Sequence, residues 1–207
     1  MALQSPPPAR GGVTAAGAGR RREILDVAER LFWEKGFHAA SMEDVADAIG
    51  LTKPAIYHYF RSKDDILLEI RQSIIDQMLE LTEGVVEADG AAVDKLRDVL
   101  VAHTTMVLQR RRANKIYHEE AGSLPAGRER EIRRAEADYE AVVRNLYAQA
   151  VEEGDVRAVD VGVAVAVLLG AINWSYRWYR PRGRLRAPAM AELIVDILLD
   201  GHLVEGP

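Results

Sequence analysis

The feature that most constrains this chain is residues 41–63, SMEDVADAIGLTKPAIYHYFRSK, which have the pattern of two short helices joined by a tight turn. Ser41 is a favourable N-cap, and Asp44 stands three residues later, where its carboxylate can complete a capping box. Ala40 and Val45 are spaced to form the hydrophobic staple that fixes how the chain enters a helix. The sequence therefore predicts a helix that begins just after Ser41.

A glycine and a second cap mark the turn between the two helices. Gly50 can take the left-handed conformation that often ends a helix. Thr52 is suited to cap the next helix, which tolerates Pro54 because that residue lies in its first turn. Ala46, four residues before the glycine, is small enough for the two helices to cross closely. Two helices joined in this way form a helix-turn-helix unit.

The second helix of the pair is expected to face outward with hydroxyl, amine and imidazole groups, which suit phosphates and base edges. An ordinary helical corner with a solvated polar face is the alternative. We expect Lys53 and His58, together with Thr52, to read bases, and most of the others to contact phosphates. The residues predicted to contact DNA are Ser41, Thr52, Lys53, Pro54, Ala55, Tyr57, His58, Tyr59 and Lys63.

Lys63 is predicted to begin the next helix, with Ser62 as its cap and Asp65 as the capping-box partner. A cation is mildly unfavourable at a helix N-terminus. A DNA phosphate held by the helix amides and by Lys63 would explain its position. The alternative is a solvated lysine.

Residues 21–70 closely resemble the N-terminal domain of the TetR-type bacterial transcriptional regulators, most specifically over GLTKPAIYHYFRSKDDILLEI. The resemblance implies a homodimer that represses by occupying a palindromic operator and leaves the DNA when a small ligand binds. It also implies an all-α fold, in which a three-helix DNA-binding head precedes a larger helical ligand-binding and dimerisation domain. The matching residues are Ala28, Leu31, Phe32, Gly36, Phe37, Ser41, Val45, Ala46, Gly50, Ala55, Ile56, Tyr57, Tyr59, Phe60, Lys63 and Leu67.

Composition divides the chain into three parts. Residues 1–19 are rich in Pro, Gly and Ala and are predicted to be a disordered tail. They contain no apolar run typical of a signal peptide. Residues 20–65 are predicted to be the helix-turn-helix domain, and residues 66–207 the ligand-binding and dimerisation domain. The basic residues 20–22 are expected either to touch DNA as a short arm or to be a solvated helix start.

The net charge of −5 does not argue against DNA, because the acidity lies outside the predicted head. Residues 1–63 carry nine basic and seven acidic side chains, whereas residues 64–207 carry 18 and 25. The chain has no cysteine, which fits a reducing cytoplasm. The predicted DNA binding implies that the protein is associated with the nucleoid. No membrane partner is expected, since the longest apolar stretch is shorter than the roughly 18–20 residues that span a bilayer.

Two C-terminal segments are predicted to form a symmetric dimer interface. The segment 160–172, DVGVAVAVLLGAI, contains only apolar residues and glycine after Asp160, so a helix here must be covered on all sides. Residues 188–200 are predicted to be a helix with an acidic stripe and an apolar stripe. The alternative is a purely intramolecular core. The predicted interface residues are Gly162, Ala166, Gly170, Ile194, Ile197 and Leu198.

Polar and aromatic residues at otherwise apolar positions suggest a small-molecule cavity in the larger domain. The alternative for each is a hydrogen-bonded core residue. The segment 173–186, NWSYRWYRPRGRLR, resembles the branch of these regulators that controls acyl-CoA, aromatic or sterol breakdown, which implies an acyl-CoA thioester as the inducer. Its arginines could meet phosphates, shape the dimer surface or pair with acidic residues of the last helix. The predicted ligand contacts are His103, Met106, Tyr117, Tyr139, Tyr147, Trp174, Arg177 and Trp178.

The sequence gives no support for an enzyme. It has no Walker loop, no GxGxxG after a strand, no GxSxG and no HExxH. No cofactor and no metal site are expected, because the five histidines are scattered and the spacing of His103, His118 and Glu119 singles out no ligand set. The alternative function is a DNA-binding regulator without an inducer, whose C-terminal domain serves only dimerisation or partner binding. A ligand carrier or enzyme with a vestigial head is a further alternative.

Overall fold

The computed structural model describes residues 15–200, which are helical as predicted, with no strand in that range. The chain divides after Ser62 into two compact units. The helices are α1 (Ala15–Lys35), α2 (Met42–Ala48), α3 (Lys53–Tyr59), α4 (Lys63–Glu80), α5 (Ala92–Gln109), α6 (Arg111–Glu119), α7 (Ala126–Glu153), α8 (Val161–Trp174) and α9 (Ala187–Asp200), with a 3-10 turn at Ser175–Arg177.

The first unit packs α2 against α1 and α3 around buried aliphatic and aromatic side chains. Ile24, Phe32, Val45 and Ile56 are almost completely buried. Helix α1 begins at Ala15, inside the predicted tail, because the alanines of this segment favour a helix. Residues 15–19 of the predicted tail are therefore helical, and residues 1–14 lie outside the described residues.

The N-terminal cap of α2 and the turn between α2 and α3 both have the predicted local structure. The Ser41 hydroxyl accepts from the Asp44 N–H at 3.1 Å, and the Asp44 carboxylate accepts from the Ser41 N–H and hydroxyl at 2.8 Å each. Gly50 has a φ of +67°, the left-handed conformation that glycine adopts without strain. The Thr52 hydroxyl accepts from the Ala55 N–H at 3.4 Å. This turn determines which side of α3 is exposed.

The second unit contains α4 to α9, with α5 packed on α7, α8 and α9, and α4 packed on α6 and α7. A buried ion pair joins two of these helices. The Arg71 guanidinium of α4 donates to the Glu129 carboxylate of α7 at 2.6 Å, and Glu129 also accepts from the N–H groups of Gly122 and Leu124. The pair therefore also fixes the loop between α6 and α7.

Helices α8 and α9 each have one buried and one exposed apolar face. In α8, Val165 and Leu168 are buried, whereas 62% of Val163 is exposed. In α9, Val195 is buried and 65% of Ile197 is exposed. Among the other predicted interface residues, Ala166 and Gly170 are exposed, and Gly162, Ile194 and Leu198 are half-buried.

Across residues 15–200, no helix is both long and apolar enough to cross a membrane.

Candidate nucleic-acid interface and ligand cavities

Helix α3 has an exposed polar face and is held to the core by one buried apolar side chain. Ile56 is completely buried, which fixes the rotation of this two-turn helix about its axis. Lys53, Tyr57 and His58 are exposed on the opposite side, and Tyr59 is half-buried. Thr52 and Pro54 are also exposed, and Ala55 is half-buried. The helix therefore offers donors, acceptors and aromatic edges to a partner without disturbing the core.

Two surface ion pairs connect α2 to its neighbours. The Lys53 ammonium pairs with the Glu43 carboxylate, which raises the pKa of Lys53. Lys35 of α1 donates to Asp44 at 2.7 Å, and this bond together with the Ser41 hydrogen bonds lowers the pKa of Asp44 to about 2. A DNA contact by Lys53 therefore competes with an existing ion pair, and a phosphate contact by the Ser41 hydroxyl competes with the capping box.

The basic residues at the start of the predicted head have different roles. Arg20 pairs with Glu23 on the surface at 2.6 Å. Arg21 donates to the Tyr59 carbonyl at 2.6 Å, and its guanidinium stacks 4.0 Å above the ring centre of Phe60. Because carbonyls at a helix C-terminus lack intrahelical partners, Arg21 caps the end of α3. Neither contact was expected from the sequence.

Lys63 is the first residue of α4, as predicted, and this helix lies in the second unit. Asp64 and Asp65 follow it in the first turn, where carboxylates are favoured at a helix N-terminus. The Asp65 carboxylate also pairs with Arg128 of α7 at 2.7 Å.

The first cavity, of about 350 Å³, lies among α4, α6, α7 and α8. It brings together two predicted ligand contacts, Tyr117 and Tyr139. The Tyr117 hydroxyl donates to Glu136 at 2.5 Å, and burial together with this carboxylate raises the pKa of Tyr117. The lining side chains are Met78, Tyr117, His118, Glu136, Tyr139, Glu140, Ala166, Leu169 and Asn173.

A buried hydrogen bond lies behind this cavity. The Tyr139 hydroxyl is 2.8 Å from Nδ1 of His103, and both side chains are buried. Burial, with the nearby His118, lowers the pKa of His103 to about 3, so its ring is neutral at pH 7. Asn173 lies near enough to oppose this shift slightly, but Nε2 of His103 has no hydrogen bond of good geometry among the described residues.

The second cavity, of about 270 Å³, also has His118 and Asn173 in its lining and adds Trp174 and Arg177. The Arg177 guanidinium lies 4.3 Å from the ring centre of Trp174 and 3.7 Å from Glu119. These contacts give the cavity one cation beside an exposed aromatic ring. An arginine of this kind can bind the phosphate groups of an anionic ligand, and the aromatic ring can pack against other parts of that ligand.

The other predicted ligand residues are dispersed. Trp178 lines a third cavity of about 260 Å³ with Arg180 and Arg184. Met106 is buried, and its sulfur accepts from the Asn114 amide at 3.5 Å. Tyr147 is buried as well. None of the three cavities has Met106, Tyr147 or His103 in its lining.

The alternative interpretation, in which the 173–186 arginines pair with acidic residues of the last helix, is not seen in the described contacts. Arg97 of α5 instead donates to Glu192 and Asp196 at 2.9 and 2.5 Å. Arg177 pairs with Glu119 of α6. The acidic stripe of α9 therefore pairs with α5 on the protein surface.

Sequence reasoning missed Glu136 as a cavity residue. Glu136 precedes Tyr139, an expected inward residue, by three positions, so both lie on one helical face. That spacing was the available signal, but the surrounding run of charges favoured a solvated face. In residues 15–200, no group of three or more His, Asp or Glu side chains is arranged to hold a metal ion.

Two parts of the chain match described protein families. Residues 24–70 match "Bacterial regulatory proteins, tetR family", and residues 89–202 match "Tetracyclin repressor-like, C-terminal domain". Between them these matches include the helix-turn-helix and nearly all residues of the three cavities.

Three relatives are similar over most of their length. The HTH-type transcriptional repressor KstR2 of Rhodococcus jostii is 29% identical, covering 95% of this chain and 97% of the repressor. The structure of the ketosteroid transcriptional regulator KstR2 of Mycobacterium tuberculosis is 26% identical, with a TM-score of 0.84, covering 90% of this chain and 96% of that one. The structure of a TetR/AcrR-family regulator from Thermobifida fusca is 44% identical in sequence, with a TM-score of 0.69, covering 88% of this chain and 98% of that one.

A further similar structure contains bound ligands. The structure of AibR in complex with isovaleryl coenzyme A and operator DNA is 29% identical, with a TM-score of 0.75, covering 86% of this chain and 97% of AibR.

Proposed function

Because this chain belongs to the TetR family of bacterial transcriptional regulators, we propose that it represses transcription as a homodimer bound to a palindromic operator and is released by an acyl-CoA thioester. The exposed polar face of α3, held by the buried Ile56 and by the caps of the turn, is the observation that carries the DNA-binding part. Each protomer would place α3 in a major groove, with half-sites one helical turn or more apart. Lys63 would hold a backbone phosphate at the start of α4.

The exposed apolar faces of α8 and α9 support the homodimer. Val163, Val167 and Ile197 are each more than half exposed within a single chain. Large apolar side chains that recur on one helical face mark an interaction surface. In the proposed dimer this surface meets its copy, with Gly170 and Ala166 allowing the helices to approach closely.

The adjoining first and second cavities support a bipartite inducer. They share His118 and Asn173 in their linings, and each alone lies at or below the lower end of the ~300–1,000 Å³ typical of ligand sites. An acyl group would enter the first cavity while the pantetheine arm passes Trp174 and Arg177. AibR, whose crystal structure holds isovaleryl coenzyme A, makes a thioester the first ligand class to test.

Fluorescence anisotropy with DNA from upstream of the chain's own gene tests the proposal over a salt series, with and without acyl-CoA thioesters. We expect binding that weakens steeply with salt, because phosphate contacts release counterions, and that one thioester reverses. Binding that no thioester disturbs would retain the regulator and reject the inducer class. Absence of any sequence preference would reject the operator.

A further inference from the structure

Glu136 is a half-buried carboxylate on the wall of the first cavity, and the proposed function gives it no role. In the described part of the chain its one hydrogen bond comes from the Tyr117 hydroxyl at 2.5 Å. An ionised carboxylate has two oxygens and about four acceptor positions, so most of the acceptor capacity of Glu136 is unused. Because the pKa of Tyr117 is raised, its hydroxyl stays protonated and continues to donate to Glu136.

A second glutamate on the same wall is in a different state. Glu140 lies one turn further along α7 and also lines the first cavity, but Arg144 donates to its carboxylate at 3.1 and 2.6 Å. The negative charge of Glu140 is therefore offset. Glu136 has no ion pair within residues 15–200, and no Lys or Arg is among the described residues that line this cavity.

The other charged or titratable groups around the first cavity do not offset Glu136 either. Burial and the neighbouring Arg71 lower the pKa of His118 to about 4, so its ring is neutral at pH 7. Arg71 lies 5.5 Å from the ring centre of Tyr117, but its guanidinium is paired with Glu129. The Tyr139 hydroxyl is engaged with His103. The first cavity therefore has a net negative wall on which Glu136 retains unused acceptor positions.

We propose that Glu136 determines inducer specificity: the part of the ligand that enters the first cavity carries a hydroxyl or amino donor and not a carboxylate. The inference rests on the proposed function. A donor would complete the hydrogen bonds of a carboxylate that is partly removed from water, and sites with such groups strongly disfavour analogues that lack the donor. A ligand carboxylate would instead face a like charge at close range. Tyr117 positions the Glu136 carboxylate for this contact.

Isothermal titration calorimetry with three matched thioesters tests the inference on the full chain. The probes are 4-hydroxybutyryl-, butyryl- and succinyl-CoA, which differ only at the end of the acyl group. We expect the hydroxylated thioester to bind about tenfold more tightly than butyryl-CoA, with succinyl-CoA weakest. Glu136→Gln should reduce the difference between the hydroxylated and the succinyl thioester by about tenfold or more, because the repelling charge is gone.

Glu140→Gln is the matched control, since it makes the same substitution one turn away on the same wall, at a carboxylate whose charge is already offset. It should leave the ranking of the three thioesters unchanged. Equal binding of the three by the unmodified chain, or an unchanged difference between the hydroxylated and the succinyl thioester in Glu136→Gln, would overturn the inference and leave the inducer class intact.

A second measurement separates this inference from the thioester proposal. Ligand-observed NMR with hexan-1-ol, hexylamine and hexanoate detects weak binding that needs no coenzyme A. If no thioester binds, but the alcohol and amine do so in a Glu136-dependent way, the inference stands and the inducer class is wrong. Binding of hexanoate as strong as that of the alcohol would overturn the inference.

Discussion

The two units of the chain use charged and polar groups in different ways. In the first unit, the pairs Lys35–Asp44 and Lys53–Glu43 lie on the surface and join residues no more than ten positions apart. In the second unit, Arg71–Glu129 and His103–Tyr139 are buried and join residues 58 and 36 positions apart. Exposed pairs contribute little to stability, whereas breaking a buried pair is costly. Substitutions in these pairs should therefore change binding in the first unit and stability in the second.

The largest expected effect is on the buried ion pair. Arg71→Met leaves the Glu129 carboxylate buried with two backbone N–H donors and no cation. We expect the free energy of unfolding to fall by about 3–5 kcal/mol, because an uncompensated charge remains in the interior. Urea denaturation followed by circular dichroism measures this loss.

The double variant Arg71→Met, Glu129→Met tests whether the loss of stability comes from the unpaired buried charge. It removes both charges and replaces them with apolar side chains, so most of the lost stability should return. If Arg71→Met is as stable as the unmodified chain, the expectation that the buried pairs of the second unit determine its stability is wrong.

Acid should destabilise the second unit through its buried histidines. Burial lowers the pKa of His103 to about 3, below its unfolded value, so the unfolded chain binds the proton more readily. The stability is complete above pH 6.5 and falls as the pH decreases towards 3, by about 2 kcal/mol at pH 5 from His103 alone. His118, whose pKa is lowered to about 4, acts in the same direction. Urea denaturation at pH 7 and pH 5 measures the difference.

His103→Gln is the control for this pH dependence, since an amide can still bond to the Tyr139 hydroxyl but does not titrate. Its stability should change less between pH 7 and pH 5 than that of the unmodified chain. An equal change in both proteins would exclude His103 as the source of the acid sensitivity.

The same contrast explains what could be predicted from the sequence. The capping box of Ser41 and Asp44, the left-handed Gly50 and the Thr52 cap are set by residues a few positions apart, so their spacing predicts them. The partnership of Arg71 with Glu129 and the exposure of Glu136 to a cavity depend on how α4, α6 and α7 pack. No local pattern pairs Arg71 with Glu129, and the spacing of Glu136 and Tyr139 places them on one helical face without showing that this face lines a cavity. The predicted ligand residues therefore lie in several places.

Lys53→Ala should weaken operator binding by roughly tenfold and relax sequence preference, because Lys53 is expected to read a base. Lys63→Ala should weaken binding to every sequence and reduce the salt slope by about one, as expected for a phosphate contact. Anisotropy titrations over a salt series on operator and scrambled DNA distinguish the two roles. An unchanged slope in Lys63→Ala would remove that residue from the phosphate contacts.

Arg21→Gln tests whether the basic start of α1 positions α3 or contacts phosphate. Because the Arg21 guanidinium donates to the Tyr59 carbonyl, its loss should loosen the end of α3. We expect operator affinity to fall by roughly fivefold without a change in salt slope, since no counterion release is lost. Arg22→Gln, at an exposed neighbour, is the control. A slope reduced by about one in Arg21→Gln would instead identify a phosphate contact.

The smallest effect is expected at Glu43, and its direction tests how α3 is prepared for DNA. The Glu43 carboxylate pairs with the Lys53 ammonium on the protein surface, and this pair must open if Lys53 is to reach a base. Glu43→Gln removes that competition together with a negative charge close to the DNA, so operator affinity should rise by less than about threefold. Circular dichroism should show an unchanged fold, since the pair is exposed, and anisotropy should show the gain shrinking as salt screens the pair. Weaker binding by Glu43→Gln would mean that Glu43 holds Lys53 in the orientation that reads DNA, and the ion pair would then be part of the recognition surface.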